Sequence, residues 1–289
     1  MRRLWSWLLV LVFALSFAPV ARAADAFVTI GYMPATVKQD SWTVRGTAPA
    51  GMTVALSVNG EVRGRVIAGP SMSTYRYDVQ LDPGANQIVA VVEGTPARAE
   101  TFLVRVTKTF KDMEKHWAQE DCEFLAALGV ANGVGADEFG PDLALTRAQF
   151  AKLVVLGLKL QPVADPVLAF TDNETIPDWA KGYIATAVEN GLIKGFEDGS
   201  FRPETHVTRA QLAVIAARGL RQKGVEAQAG QGRSYKDELL IPGWARADLE
   251  LTTKAGLVGD FWGESFDANL PATRALAAAV VRRLYTAKK

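Results

Sequence analysis

The chain has 289 residues, a length that allows one large domain or two to three ordinary ones. Its composition is globular, with 49% hydrophobic and 22% charged residues, and its formal net charge of +1 predicts no general attraction to nucleic acid or anionic lipid. Cys122 is the only cysteine, which excludes an intrachain disulfide, and the two histidines leave little material for a zinc site or a Ser-His-Asp triad. We therefore predict no catalytic residue, no metal site and no cofactor.

Residues 1–23, MRRLWSWLLVLVFALSFAPVARA, have the pattern of a cleaved secretory signal. Arg2 and Arg3 precede an apolar stretch, and Ala21 and Ala23 offer small side chains for cleavage. The alternative is a membrane anchor, but the apolar stretch is shorter than the roughly 20 residues that span a bilayer. We expect a secreted chain with no membrane attachment after cleavage, held to its cell non-covalently.

Residues 26–108 alternate apolar and polar positions in the manner of antiparallel β-structure. The segments are rich in Val, Thr and Tyr, and the pair Asn59-Gly60 is a strong hairpin signal. Six or seven short strands predict a small all-β sandwich. The strings GTAPAGMTVALSVNG and LDPGANQIVAVV resemble bacterial immunoglobulin-like surface modules. That resemblance implies a spacer or stalk, whose own partner, if it has one, would be another surface protein.

An internal repeat with a period of 62 to 65 residues begins near residue 110. In each copy a tryptophan is followed twelve residues later by glycine, twenty-two later by phenylalanine and twenty-nine later by a Thr-Arg pair. The matched positions are Trp117, Trp179 and Trp244; Gly129, Gly191 and Gly256; Phe139, Phe201 and Phe266; and Thr146-Arg147, Thr208-Arg209 and Thr273-Arg274. Four matched positions in three copies predict a structural repeat.

Each copy predicts two helices joined by a loop. The first helix starts near the tryptophan and ends at the glycine, and the second starts at the threonine. The predicted units, with the Gly- and Gln-rich linker between the last two, are residues 110–160, 170–220, 221–234 (the linker) and 235–286. Cys122 aligns with Ile184 and Leu249, five residues past each tryptophan, which predicts a buried structural thiol rather than a nucleophile.

The Thr-Arg pair needs two explanations. Thr208 and Gln211 form a capping box, which stabilises a helix start by about 1 kcal/mol. The cap leaves the arginine unexplained, because the helix macrodipole disfavours a cation in the first turn. One explanation is an anionic ligand that meets both the helix terminus and the guanidinium. The other is an internal ion pair, for instance with Asp112, Asp172 or Asp237, and the residues alone leave both open.

These motifs together resemble S-layer homology (SLH) repeats. The resemblance is fullest in the second copy, where Asp172 and Trp179 are followed by IKGFEDGSFRPETHVTRAQ, and it covers residues 110–286 as three repeats. It implies a pseudo-threefold all-α bundle that binds secondary cell-wall polysaccharide. The sugars of this polymer often bear a pyruvate ketal, and the binding sites would lie in grooves between neighbouring repeats.

The resemblance also supplies the candidate ligand-binding residues. Its arginines would contact the ketal carboxylate, its tryptophans and loop glycines would shape the groove, and its aspartates would hold the arginines or accept sugar hydroxyls. The candidates are Arg147, Arg209 and Arg274; Trp117, Trp179 and Trp244; Gly133 and Gly195; and Asp112, Asp172 and Asp237. Core packing is an equal explanation of each tryptophan, because a large ring can serve both purposes.

The third copy departs most from the pattern. Asp260 stands at the loop glycine, Ala268 at the loop proline and Leu276 at the capping glutamine. Because a carboxylate at position 260 would repel an anionic ligand, we expect Arg274 to contribute least to binding.

The predicted function is non-covalent anchoring of a secreted, non-catalytic surface protein to cell-wall polysaccharide. One alternative is a structural protein whose β-module assembles into an S-layer lattice, although the module is short for a lattice element. Another is an enzyme acting on wall glycan, but no paired-acid motif stands out in the sequence.

Overall fold

The computed structural model describes residues 26–70, 73–225, 233–258 and 262–287. The predicted signal sequence and residues 226–232 of the predicted linker lie outside the described residues.

The chain divides into two compact units. The first contains Ser41–Leu81 and Gln87–Phe102, and the second contains the chain from Leu103 onward together with Pro34–Asp40 and Asp82–Asn86.

Short β-strands make up the part of the chain before residue 108. The described strands are β1 Thr36–Val37, β2 Ser41–Thr47, β3 Thr53–Val58, β4 Glu61–Ile67, β5 Thr74–Gln80, β6 Gly84–Val92 and β7 Arg98–Arg105. They form a five-stranded sheet in the order β1-β7-β6-β3-β4 and a two-stranded sheet of β2 and β5. β2 and β5 are antiparallel, as are β3 and both of its neighbours, while β1 is parallel to β7. The predicted all-β character of this region is confirmed.

The hairpin between β3 and β4 turns at Asn59 and Gly60, whose backbone φ angles are 52° and 86°. Two consecutive positive φ angles are typical of the type I′ turn, whose twist matches that of the flanking strands. The Asn-Gly pair therefore does what the sequence predicts.

Two tyrosines of β5 pack against glycines on the inner faces of the sheets. Tyr75 lies on Gly46 of β2, and a Cβ atom added at Gly64 of β4 would lie 2.0 Å from the ring of Tyr77. Tyr77 therefore reaches from the two-stranded sheet to the five-stranded sheet, and Leu56 of β3 is fully buried in the same layer. Glycine is needed at position 64 because the ring occupies the space of a side chain.

Three helix pairs make up the second unit. The described helices are α1 Gln119–Ala127, α2 Arg147–Gly157, α3 Asp178–Glu189, α4 Arg209–Gln222, α5 Gly243–Lys254 and α6 Arg274–Thr286. A short 3-10 helix precedes each pair, at Lys111–Met113, Asn173–Thr175 and Glu238–Leu240. Within the described residues, none of these helices is both long enough and apolar enough to cross a membrane.

The first helix of each pair stops at a glycine, as the sequence predicts. Gly129, Gly191 and Gly256 have φ angles of 70°, 66° and 69°. This left-handed conformation lets the chain leave the helix while the last carbonyls stay hydrogen-bonded.

Cys122 is fully buried in α1. Burial raises the pKa of its thiol far above the ordinary value, because a low-dielectric surrounding disfavours the thiolate. Its predicted equivalents, Ile184 and Leu249, belong to the same hydrophobic core. The prediction of a buried thiol in the helical core is confirmed.

The starts of the second helices meet one another through isolated β-bridges. The bridges join Thr146 with His206, Thr208 with Pro271, and Ala144 with Thr273. Each Thr-Arg segment therefore lies beside a different helix pair, and the contacts pass from the first pair to the second, from the second to the third and from the third back to the first. This circular arrangement positions the candidate site.

Candidate functional site

The Thr-Arg segments begin their helices with the predicted caps. Thr146 accepts a hydrogen bond from the backbone N–H of Gln149 at 3.3 Å, and Gln149 accepts one from the N–H of Thr146 at 3.2 Å. Thr208 and Gln211 repeat both bonds. In the third copy only the threonine half of the box remains, because leucine replaces glutamine. The capping prediction is confirmed for the first two copies.

Arg147 donates to backbone carbonyls of the second helix pair rather than to a carboxylate. Its Nε donates to the carbonyl oxygen of Phe201 at 2.9 Å, and its Nη2 donates to that of Lys194 at 2.9 Å. Hydrogen bonds from a charged donor are stronger than those between neutral groups. The arginine thus ties the start of α2 to the loop that precedes α4.

The other two arginines also donate to backbone carbonyls of the next helix pair, and Arg209 has an acidic neighbour, Asp267, as well. Arg209 donates from Nη1 to the carbonyl oxygen of Phe266 at 3.0 Å. Arg274 donates to the carbonyl oxygens of Phe139 and Asn132, at 3.0 Å and 2.6 Å. The sequence did not indicate these carbonyls as partners. The repeated bond joins an arginine of one copy to a phenylalanine of another copy, so the residues of a single copy cannot predict it.

The three aspartates do not form the alternative ion pairs with these arginines; this holds throughout the described residues. Asp172 instead accepts from the backbone N–H groups of Phe201 and Arg202, both at 2.7 Å. Asp112 and Asp237 make equivalent bonds to the loops of their own helix pairs. The ion-pair alternative is therefore not formed with these three aspartates, although Arg209 pairs with a different one, Asp267, at 3.5 Å.

An aspartate and an arginine hold the same loop residue, one through its N–H group and the other through its carbonyl group. The Asp172 carboxylate accepts from the N–H of Phe201, and Arg147 donates to the carbonyl oxygen of the same residue. The aspartate fixes the loop from within its own helix pair, and the arginine holds it from the neighbouring pair.

The predicted tryptophans lie on the surface. Trp117, Trp179 and Trp244 are 55%, 50% and 60% exposed. Buried packing alone would cover most of such a large ring, so each ring has a face available to a ligand.

A first groove lies at the junction of all three helix pairs, and we define it by Arg274, Gly133, Val134, Lys152 and Trp179. Its cavity volume is about 250 Å³. The loop residues come from the first pair, the ring from the second and the guanidinium from the third. The structure thus brings together one predicted arginine, one predicted glycine and one predicted tryptophan.

A second groove of about 190 Å³ repeats this composition one step around the ring. We define it by Arg147, Gly195, Phe196, Arg218 and Trp244. Each groove therefore takes its arginine, its loop and its tryptophan from three successive helix pairs.

The loop glycines line the grooves, and their lack of a side chain lets neighbouring atoms pack closely against the backbone. A Cβ atom at Gly133 would lie 2.4 Å from the carbonyl oxygen of Glu138 and 2.8 Å from the ring of Phe110. At Gly195 it would lie 2.7 Å from the ring of Phe170. A larger residue at either position would push the groove wall outward.

The two groove arginines differ in accessibility. Arg147 is only 5% exposed, with its guanidinium carbon 4.7 Å and 4.8 Å from the ring centres of Phe196 and Phe201. Burial lowers the pKa of Arg147 to about 10, with a smaller contribution from nearby Arg202. Arg274 is partly exposed and lies over one ring, that of Phe139, at 4.8 Å.

Arg209 and Trp117 line neither of these two grooves. Arg209 lies 3.5 Å from the carboxylate of Asp267 and 5.5 Å from the ring centre of Trp262. Asp260, whose charge motivated the low ranking of Arg274, lies outside the described residues. Arg274 lines the first groove together with Gly133 of the first pair, and its low ranking stays a prediction.

Lys152 and Arg218 are groove residues that the sequence analysis missed. Lys152 lines the first groove from α2, and Arg218 lines the second from α4 and donates to the carbonyl oxygen of Leu192 at 2.9 Å. Neither cation recurs at its position in every copy, so the repeat pattern gave no signal for them.

Comparisons with known proteins identify a family for part of the chain. Residues 109–151 and 169–213 match the family described as S-layer homology domain. The surface-layer 125 kDa protein of Lysinibacillus sphaericus is 35% identical over 113 residues, which cover 38% of this chain and 10% of that protein. The surface layer protein of Brevibacillus choshinensis is 36% identical over 138 residues, covering 47% and 12%.

An enzyme is also among the relatives. The amylopullulanase of Thermoanaerobacterium thermosulfurigenes is 30% identical over 178 residues, covering 60% of this chain and 9% of the enzyme. The chain thus spans between 9% and 12% of the length of these three relatives. Residues 235–286, the predicted third repeat, lie outside the matched segments. The chain is therefore a cell-surface protein that carries S-layer homology domain sequence at residues 109–151 and 169–213.

Proposed function

We propose that the helical unit anchors this secreted protein to the cell wall by binding a polysaccharide that bears pyruvate ketals. The observation that carries the proposal is the first groove. It combines two cations, Arg274 and Lys152, with the half-exposed ring of Trp179.

The chemistry of a pyruvylated sugar fits this combination. Its carboxylate suits a guanidinium that keeps part of its N–H surface accessible, and a lysine adds a second positive charge. The C–H face of a sugar ring packs against an aromatic ring, which is rigid and buries area at low entropic cost. Two N–H donors of Arg274 bond to the carbonyl oxygens of Phe139 and Asn132. These bonds fix the orientation of the guanidinium and therefore the direction of its remaining N–H donors.

The circular contacts support a pseudo-threefold bundle of three SLH repeats. In this proposal residues 110–160, 170–220 and 235–286 are the repeats, and the region 26–108 is an immunoglobulin-like module carried by them. The chain itself is non-catalytic in this proposal.

Binding to isolated walls tests the proposal. The mature chain is mixed with cell walls before and after extraction of the polymer that is not peptidoglycan, and we expect it to sediment only with unextracted walls. Equal sedimentation with both preparations would overturn the assignment.

A soluble wall fragment then tests the ketal. We expect removal of the pyruvate by mild acid to weaken binding at least about tenfold, equivalent to 1.4 kcal/mol. Arg274→Gln should reproduce that loss, whereas Arg221→Gln, a control in α4 whose side chain pairs with Asp248, should bind like the wild type. An unchanged affinity after ketal removal would contradict the proposed ligand.

A further inference from the structure

The outer face of the two-stranded sheet carries two arginines directly opposite each other. In the antiparallel register of β2 and β5, Arg45 is the cross-strand partner of Arg76. Both side chains are exposed. Directly opposed residues in such a pair have Cβ atoms roughly 4.5–5.5 Å apart, and like charges at that separation destabilise the sheet.

Neither arginine is neutralised by a carboxylate within the described part of the chain. Two arginines of the five-stranded sheet, by contrast, have acidic partners. Arg65 pairs with Glu93 at 2.6 Å, and Arg98 pairs with Glu100 at 3.0 Å. Arg45 and Arg76 thus differ from these two paired arginines of the other sheet.

The rest of this face is polar. Alternation along β2 and β5 places hydroxyl and amide side chains beside the arginines, while Trp42 and both tyrosines of β5 belong to the opposite face. Asp78 is the acidic residue of the face, and it accepts a hydrogen bond from the Thr43 hydroxyl at 2.5 Å. A neighbouring segment lies along β2, where the N–H of Gly31 donates to the carbonyl oxygen of Arg45 at 2.7 Å.

We propose that this face, centred on Arg45 and Arg76, binds a carboxylate-bearing polysaccharide. The paired charges require an anionic partner, and guanidinium groups match carboxylates in geometry. The neighbouring hydroxyls and amides can hydrogen-bond to sugar hydroxyls.

Charge and composition favour a glycan over other anions. Binding of a single-stranded nucleic acid relies on aromatic rings that stack on bases, and the strands β2 and β5 present no such ring on this face. Membrane association relies on apolar side chains that enter the lipid boundary, and the face consists of polar and charged positions. The proposal is independent of the grooves of the helical unit.

A site-resolved titration of the full mature chain tests the proposal. Oligogalacturonate is the probe, a neutral gluco-oligosaccharide of equal length is the control ligand, and backbone amide signals are followed by NMR. We expect oligogalacturonate to shift amides of β2 and β5, with an effect that declines as salt screens the charges. Shifts restricted to the helical unit would overturn the proposal.

The second part of the test compares two double variants, one in each sheet, that each remove two positive charges. Arg45→Gln with Arg76→Gln should weaken the β2–β5 response about tenfold, or 1.4 kcal/mol. Arg65→Gln with Arg98→Gln removes the same charge from the other sheet and should leave that response within twofold. Equal losses in both double variants would show non-specific charge attraction and overturn the assignment.

Two further measurements complete the test: the thermal stability of the variants and the binding of other anionic partners. Removing the opposed charges should leave the thermal midpoint unchanged or raise it, since like-charge repulsion is relieved. A lower midpoint would show that the arginines are structural and would count against the proposal. Tighter arginine-dependent binding to a single-stranded oligonucleotide or to phosphatidylserine vesicles would refute the glycan assignment.

Discussion

The two grooves of the helical unit use the same Thr-Arg motif in two ways. In the second groove Arg147 is enclosed between two aromatic rings and is 5% exposed. In the first groove Arg274 makes the same bonds to a loop but lies over a single ring and stays partly exposed.

One loop position accounts for the difference. Phe196 covers Arg147, whereas Val134 occupies the equivalent position in the first groove, seventeen residues after its tryptophan. The motif therefore fixes the backbone bonds of the arginine, and the neighbouring loop decides whether its charge is available to a ligand.

The largest expected effect is on folding. Arg147→Ala should lower the free energy of unfolding by about 2–4 kcal/mol, because it leaves two carbonyls without a charged donor in a buried site. Arg274→Ala should cost less stability, since water can reach its partly exposed surroundings. Urea unfolding followed by circular dichroism measures both, and equal losses would contradict the comparison.

Substitution of Val134 tests whether this loop position controls the accessibility of Arg274. Val134→Phe should enclose Arg274 and weaken binding of the pyruvylated fragment about tenfold, or 1.4 kcal/mol. Val134→Leu, which adds volume without an aromatic ring, should change the affinity much less. Isothermal titration measures each, and similar losses would show that bulk alone is responsible.

A smaller effect is expected at the second cation of the first groove. Lys152→Val, which copies Val214 of the next pair, should weaken binding about threefold, a typical value for one exposed charge. Lys152→Arg should retain binding, and the difference between the variants should shrink as salt increases. A loss in Lys152→Arg equal to that in Lys152→Val would assign the residue a packing role.

The smallest effect concerns acid stability at the aspartates that hold the loops. Burial of the Asp237 carboxyl pushes its pKa upward, but N–H donors from Phe266 and Asp267 outweigh burial and hold the pKa below its usual value. Its stabilisation is therefore complete above the unfolded-state pKa of about 3.9 and is lost as pH falls through the lower folded-state pKa.

Asp237→Asn should thus destabilise the protein at neutral pH, and its stability should approach that of the wild type in acid. Thermal midpoints at several pH values between neutrality and pH 2 measure this convergence. A constant difference across that range would contradict the assignment to ionisation.

Local features were predictable because they depend on nearby residues. Asn59-Gly60 requires no tertiary partner to favour its turn, and Thr208 reaches Gln211 within one helical turn. The left-handed glycines at helix ends belong to the same class. The burial of Cys122 followed from alignment of the copies, because equivalent positions of a repeat share an environment.

The partners of the arginines and aspartates were not predictable in this way. Arg274 donates to Phe139, which is 135 residues away along the chain, and Asp172 bonds to a loop 29 residues away. The sequence left an Asp–Arg ion pair open as one of two explanations, whereas in the structure each arginine bonds to the loop of another helix pair.

The sequence by itself determined the two kinds of secondary structure, the repeat, the helix caps and the repeated arginines, tryptophans and loop glycines. These depend on periodicity and on bonds between near neighbours. Only the tertiary structure decided which arginine, glycine and tryptophan share a groove, and how much of each guanidinium stays accessible. The physical reason is that burial and long-range hydrogen bonds are set by packing between helix pairs, which no single copy of the repeat contains.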